Sequence, residues 1–193
     1  MGRTQTFDTG EVVRAARGVF WKHGYEAASV PALEAATGLR RSSIYNAFGS
    51  KRGLFDAAVA SYLDEIVRPR LEPLKAELPA PNAILDYLHG LRTGLEQAGS
   101  FTSANGCLLI NTAGAPIADD ATVRDTVAAY RAELREAIGN GLRRHLADVP
   151  ADQVERLTET CTALVVAAYA LTRVDNASAL SSIDTALDLI DRA

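Results

Sequence analysis

Apolar residues recur at helical spacing along almost the whole chain. Val12, Val13, Ala16, Val19 and Phe20 fall on one face at i, i+3, i+4 and i+7, the pattern of an amphipathic helix. Asp8, with Glu11 three residues on, marks its start and Gly24 its stop. A second, short helix is predicted over Val30–Thr37. Ser29 is its N-cap, Pro31 lies in the first turn where a missing N–H costs nothing, and Gly38 follows it. Leu39, Ile44 and Phe48 can anchor one side of a third short helix over 40–48, ended by Gly49. Ser50 then caps a fourth, from 51 to about 67, with Leu54, Phe55, Ala58, Tyr62 and Ile66 facing inward.

The pattern breaks where Pro69, Pro73, Pro79 and Pro81 crowd together, which predicts a linker. A fifth helix carries Ile84, Leu85, Leu88, Leu91 and Leu95 and runs up to Gly99. A loop over 100–105 leads into a short buried helix, 106–112, ended by Gly114 and Pro116. The seventh and longest helix carries Val123, Val127, Tyr130, Leu134, Ile138, Leu142 and Leu146, although Gly139 and Gly141 weaken its middle. After Pro150 an eighth carries Val154, Leu157, Cys161, Leu164, Val165, Ala168 and Leu171, and a short ninth carries Leu180, Ile183, Leu187 and Ile190. No run sustains period two and no tandem repeat is present, so the fold class is all-α with about nine helices.

The length of 193 residues allows one large domain or a small one plus a medium one. A hydrophobic share of 48% and a charged share of 23% are those of a globular chain, not of a disordered or rod-like one. The start lacks the apolar run of a secretory signal, and the most apolar stretch, 163–171, is too short to span a bilayer. These features predict a soluble cytoplasmic protein without a membrane partner. The only cysteines are Cys107 and Cys161, with no CxxC and no histidine at ligand spacing, so neither a disulfide framework nor a metal site is expected.

Charge changes the picture once it is divided. Residues 1–53 hold Arg3, Arg14, Arg17, Lys22, Arg40, Arg41, Lys51 and Arg52 against Asp8, Glu11, Glu26 and Glu34, a surplus of +4. The whole chain carries −4, so the remainder carries −8. A basic head on an acidic body makes the head the candidate for an anionic partner.

Two short helices joined by a tight glycine-containing turn and preceded by a longer one make a helix-turn-helix unit, whose second helix can enter a major groove. Arg40, Arg41, Ser42, Ser43, Tyr45 and Asn46 supply the chemistry such a helix needs. Arginine can read guanine, asparagine can read adenine, and hydroxyls can donate to phosphate. The N-termini at Ser29 and Ser50 add backbone N–H groups favourable to phosphate.

The stretches Gly24-Tyr25-Glu26-Ala27-Ala28-Ser29-Val30, Ala36-Thr37-Gly38-Leu39, Ser43-Ile44-Tyr45-Asn46-Ala47-Phe48-Gly49-Ser50-Lys51 and Leu54-Phe55 resemble the amino-terminal signature of the TetR/AcrR family of bacterial transcriptional regulators. The resemblance covers about residues 10 to 56. It implies a three-helix DNA-binding head, residues 1–53, on a helical ligand-binding and dimerising body, residues 54–193. It further implies a repressor that binds a palindromic operator in double-stranded DNA as a homodimer and is released by a small molecule. By position, it makes Arg41, Ser42, Ser43 and Asn46 groove-facing, and Ser29, Arg40, Tyr45 and Lys51 phosphate contacts. Ala28 stands where the family often has threonine, and Arg40-Arg41 where it often has a serine-lysine pair.

In the body, Gly106-Cys107-Leu108 is similar to a motif of a subset of these regulators, some of which sense electrophiles or oxidants, but the acidic residue often found further on is absent. Cys107 has three readings: a small buried hydrophobe, a pocket wall, or a sensor thiol. A cavity among helices four to eight has Tyr62, Tyr87, His89, Phe101, Asn111, Tyr130 and Tyr169 as candidate lining by type and rough position, with ordinary core or surface packing the more common role for each and His89 equally able to face water. For the dimer, helix eight offers the small residues Ala163, Ala167, Ala168 and Ala170 and helix nine its Leu/Ile stripe, unless both stripes close the subunit's own core. A rival reading is a small all-helical enzyme or carrier using the cavity and Cys107. Against it stand the lack of a nearby Cys/His pair, of a phosphate-binding glycine-rich loop and of any motif for a cofactor.

Overall fold

The computed structural model describes residues 7–97 and 99–193; Arg3, counted above in the charge of the head, lies outside them. Among the described residues all nine expected helices form, in the expected order, and two further short ones join them. Local capping chemistry sets the first four. The Asp8 carboxylate accepts the Glu11 N–H at 3.0 Å to start α1 (Thr9–Ala27), which is interrupted near its end at Gly24. Ser29 Oγ accepts the Ala32 N–H to start α2 (Val30–Thr37), and Gly38, at φ 69°, closes it in the left-handed conformation that glycine adopts at least cost. α3 spans Arg41–Phe48, and Ser50 Oγ accepts the Gly53 N–H to start α4 (Lys51–Tyr62).

The expected proline linker begins later than the sequence pattern suggests. After α4 the chain makes a π turn over Leu63–Val67, in which the Arg68 N–H reaches back to the Leu63 carbonyl, and then continues as α5 (Arg68–Lys75). This wider turn shifts the hydrogen-bond ladder just before Pro69, so the missing proline donor falls in the first turn of a restarted helix. The true break is at 76–82. α6 (Ala83–Glu96) follows. The predicted loop over 100–105 holds a five-residue helix, α7 (Phe101–Asn105), whose Ser100 Oγ caps the Ser103 N–H; it is too short to show a period. Then come α8 (Leu108–Ala113), a 3₁₀ turn at Pro116–Asp119, α9 (Ala121–His145), α10 (Ala151–Leu171) and α11 (Asn176–Asp191). No helix among the described residues is long and apolar enough to cross a membrane.

α1 packs along α4 and holds α2, while α3 rests on α4. The core there is aromatic: Phe20 meets Phe55 edge-on with ring centroids 5.2 Å apart, and Tyr25 lies 5.2 Å from Phe55. α9 crosses the body against α5, α6, α8 and α10, while α11 packs against α10 and α6. The glycines that weaken α9 in isolation are the ones its neighbours press on. A Cβ at Gly139 would stand 3.1 Å from Thr158 of α10, and one at Gly141 would stand 2.6 Å from Leu74 of α5. Close helix approach outweighs the loss of roughly 1 kcal/mol of propensity at each.

Head and body meet along a seam of specific bonds. The Trp21 indole N–H donates to the Gly106 carbonyl at 3.0 Å, and its ring lies 4.8 Å from both Tyr62 and Phe101. Arg17 donates to Ser61 Oγ at 2.8 Å and to Glu65 at 2.9 Å. The Ile117 N–H donates to the Glu26 carboxylate at 2.7 Å. Arg52 pairs with Asp56 at 2.7 Å and with Asp120 at 2.9 Å, and Asp120 also caps α9 by accepting the Val123 N–H. α4 itself runs unbroken across residues 53 and 54.

Gly106 is the tightest point of the seam. Its φ is +66° and a Cβ there would stand 2.5 Å from the Tyr169 carbonyl. Gly106→Ala is therefore expected to lower unfolding stability by about 2 kcal/mol or more. Gly114→Ala, at φ −94° and with nothing within 4 Å of the added methyl, should stay within about 0.5 kcal/mol of the parent. Urea unfolding followed by Trp21 fluorescence compares the two. Equal stability would show that the seam is not closed at Gly106.

The Arg52 guanidinium and the cap hydrogen bond hold the Asp120 carboxyl down at about 2. A depressed acid contributes stability above its unfolded value, roughly 3.9, and loses it as pH falls through the folded value. The stability gap between the parent and Asp120→Asn should therefore narrow from pH 5 to pH 2. A gap constant over that range would remove the charged pair from the seam.

Candidate nucleic-acid interface and body cavity

The turn between α2 and α3 is fixed by side chains of α2. Thr37 Oγ1 donates to the Leu33 carbonyl at 2.7 Å and accepts the Leu39 N–H at 3.3 Å. Glu34 reaches across to accept the Arg41 N–H at 2.6 Å, so the first turn of α3 is capped by a carboxylate from the preceding helix, not by its own N-cap residue. Leu33 and Ile44 are both buried, each at 1% exposure, and lock the two helices onto α1 and α4. A Cβ at Gly53 would collide with the Phe48 carbonyl, so this glycine lets the end of α3 sit on α4. Sequence reasoning passed over Glu34 and Gly53 because both act through contacts with another element.

With Ile44 inward, Arg41, Ser42 and Asn46 stand exposed on α3, and Ser43 and Tyr45 lie half-buried beside Ile44. The Arg41 guanidinium stacks over the Tyr45 ring at 5.2 Å, which holds it along the helix. Arg40 is exposed at the start of α3, and Ser29 is exposed at the start of α2 with its hydroxyl proton still available for donation. Lys51 is half-buried: its Nζ donates to the Glu26 carbonyl at 3.3 Å and lies 4.6 Å from the Tyr25 ring, and desolvation lowers its pKa despite the nearby Glu26 carboxylate. Ala28 is fully buried, so the position where the family often has threonine is a packing position in this chain.

Ion pairs sort the head's cations. Arg14 and Arg17 pair with Glu65, and Arg52 with Asp56 and Asp120, all carboxylates of the body. Arg40, Arg41, Lys22 and Lys51 have no carboxylate partner among the described residues. The uncompensated positive charge therefore lies largely at and around α3, next to the exposed serine and asparagine.

In the body a groove of about 410 Å³ opens between α5, α6, α7 and α10. Of the residues the sequence nominated, Tyr87 and Tyr169 border it. Tyr62 and Tyr130 instead line a small crevice that also touches Tyr87, Tyr169 and Arg70. Burial pushes all four phenols above their usual range. Cys107 is fully enclosed, its Sγ 3.5 Å from the Tyr130 hydroxyl, and does not border the groove. Phe101 covers Trp21, Asn111 donates to the Asn105 carbonyl at 2.7 Å, and His89 is exposed; none of the three borders it. Arg70, Asp86 and Thr102 do border it, and sequence reasoning missed them. Arg70 fell inside the run read as a linker, and Thr102 inside the run read as a loop. Burial lifts the Cys161 thiol to about 11, as suits the core position expected of it.

Comparison with known proteins gives this arrangement a lineage. Residues 12–58 match the family of bacterial regulatory proteins of the tetR type. The chain is 33% identical to the uncharacterized HTH-type transcriptional regulator YezE of Bacillus subtilis over 75% of its own length and 73% of that protein. It is 32% identical to the HTH-type transcriptional repressor ComR of Escherichia coli over 65% of its own length and 59% of that protein. Among solved structures, the TetR family regulator CifR, captured as a cysteine mutant on a 26-bp double-strand operator DNA, superposes with a TM-score of 0.78 at 30% identity, covering 96% of this chain and 98% of that one. The helical order, the outward chemistry of α3 and these likenesses agree, and the chain belongs to the TetR family of bacterial transcriptional regulators, DNA-binding proteins and not enzymes.

Proposed function

We propose that the protein is a homodimeric, cytoplasmic repressor that binds a two-fold operator through residues 1–53 and is released when a small molecule occupies the body, residues 54–193. The observation that carries this reading is the outer face of α3, where Arg41, Ser42 and Asn46 stand exposed among cations without carboxylate partners. In this reading Arg41, Ser42, Ser43 and Asn46 meet base edges. Ser29, Arg40, Tyr45 and Lys51 meet phosphates, Lys51 with the donors that its bond to Glu26 leaves over. The groove bordered by Tyr87 and Tyr169, with Tyr62 and Tyr130 in the crevice beside it, is the effector site; its volume lies within the usual range for small-molecule pockets, roughly 300–1,000 Å³. CifR was solved with operator DNA, and ComR is named a repressor.

Dimerisation is assigned to the outer faces of α10 and α11. Ala168, Ile183 and Ile190 are buried within the subunit and so serve its own core. Ala163, Leu164, Ala167, Ala170 and Leu171 of α10, with Leu180 and Leu187 of α11, remain exposed or half-exposed. Leu157, Leu164 and Leu171 recur every seven residues, the spacing of a helix–helix seam. Two such helices from each subunit would form a four-helix interface that sets two copies of α3 about one duplex turn, or a multiple of it, apart.

Two measurements test the reading. In a titration against the protein's own upstream intergenic DNA, Arg41→Ala and Asn46→Ala should each cost about 1–3 kcal/mol at one base position and relax preference there. Tyr45→Phe and Lys51→Ala should weaken all sequences alike, the lysine change reducing the salt slope by about one ion. Uniform losses for Arg41→Ala and Asn46→Ala would reverse the groove assignment. Leu164→Glu should give a single subunit in sedimentation and sharply weaken operator binding, with helicity retained. A variant that stays dimeric would move the interface elsewhere.

A further inference from the structure

The groove has an uneven chemistry that narrows what it can hold. Its walls are apolar and open. Gly90 and Gly94 lie one turn apart on α6, and a Cβ at either would meet nothing within 4 Å, so their missing side chains widen the space beside Leu91 and Pro73. At one edge the walls turn polar. Arg70, itself exposed, borders both the groove and a small crevice beside it, and the half-buried Tyr87 and the buried Tyr169 do the same. The three therefore line the junction of the two spaces.

Arg70 stands apart from its neighbours in having no carboxylate partner among the described residues. Arg68 pairs with Asp64 and Glu133, and Lys75 with Glu133. Asp86, in the first turn of α6, borders the groove as well but forms no ion pair with Arg70 among the described residues. Burial raises the phenols of Tyr87 and Tyr169 well above neutrality, so at physiological pH both are hydroxyl donors. A guanidinium without a carboxylate partner, bonded to the Tyr169 phenol oxygen and sharing the wall with Tyr87, presents chiefly hydrogen-bond donors at this edge, and a planar carboxylate satisfies such a set in two-pronged fashion.

We propose that the effector is a monocarboxylate with an apolar tail, its carboxylate held at that polar edge by Arg70 with Tyr87 and Tyr169, its tail lying along Gly90, Gly94 and Leu91. This rests on the reading of the groove as the effector site and specifies what that site takes. Arg70 lies on α5, just past the π segment that joins it to α4, so the residue that recognises the acid is linked to the head through that π turn.

The test is calorimetric titration of the full-length protein with decanoate, 1-decanol and decylamine, each below its aggregation threshold. Decanoate should bind at least tenfold more tightly than either analogue. Arg70→Gln should weaken decanoate at least tenfold while leaving 1-decanol unchanged. Gly90→Leu, which adds a good helix former into open space, should retain the parent's melting temperature and abolish binding of all three. If 1-decanol binds as tightly as decanoate and Arg70→Gln changes nothing, the anion assignment fails while the groove stands as a small-molecule site. Preference for decylamine, lost in Asp86→Asn, also overturns the carboxylate. If none of the three binds, or if binding survives Gly90→Leu, the proposal and the assignment of the groove both fall.

Discussion

The placement of the DNA-binding head depends on one buried contact, the Trp21 indole N–H against the Gly106 carbonyl. An indole donor buried without an acceptor would cost on the order of 1–3 kcal/mol, so the ring is held at one point of the body and not merely against its surface. The acceptor is equally constrained, because Gly106 can only occupy its position without a Cβ, its backbone pressed against the Tyr169 carbonyl. α1, carrying Trp21, is the helix against which α2 and α4 pack, and α4 carries α3. The orientation of the recognition helix is therefore inherited from a hydrogen bond made within one residue's width of α10.

Around that anchor, electrostatics performs a division of labour that the net charge conceals. Arg14, Arg17 and Arg52 turn toward carboxylates of the body and strengthen the seam, while Arg40 and Arg41 turn away from it. Pairs as exposed as these contribute little stability one at a time. Their collective effect is on placement: they draw the acidic body toward the rear of the head and leave the potential at α3 uncompensated. An acidic protein can in this way present a positive face to a polyanion without a positive total, and long-range repulsion from the body is partly neutralised within the molecule before DNA is met.

What the sequence made legible was the chemistry that acts within a few residues. The caps at Asp8, Ser29 and Ser50 are short-range, and each forms as the residue types suggest. The outward face of α3 was readable because Ile44 fixes the phase of a helix only two turns long. What escaped was non-local. Glu34 caps a helix seven residues away, and Gly53 is needed only because Phe48 ends above it. Gly139 and Gly141 looked like weak points until α10 and α5 were seen against them. The prolines of α5 read as a linker because no local rule announces the π turn that accommodates Pro69. That misreading removed Arg70 from consideration, and with it the one cation among the described residues that border the groove. In the opposite direction, aromatic type alone nominated Phe101, which covers Trp21 instead of facing the groove. In α11, apolar type could not separate Ile183, which faces inward, from Leu187, which stays half-exposed.

The groove and the head are joined by two physical paths, and both pass through elements with little slack. One runs from Tyr169, on the groove wall, through its carbonyl contact with Gly106 to the Trp21 indole. The other is the helix itself, α5 into the π turn into α4. A ligand alters the head only by binding one arrangement of these elements better than another, whatever its total affinity. In a packed α-helix a displacement at Arg70 would be transmitted along the axis almost undiminished. The π turn at Leu63–Val67 is the one place on that path where the ladder already departs from its regular spacing, and so the place where the helix can change phase most cheaply. Its neighbours Ser61 and Glu65 hold Arg17 of α1. A change of phase there cannot leave the Arg17 bonds untouched, which ties the conformational freedom of the body's first helix to the helix on which the whole head is built.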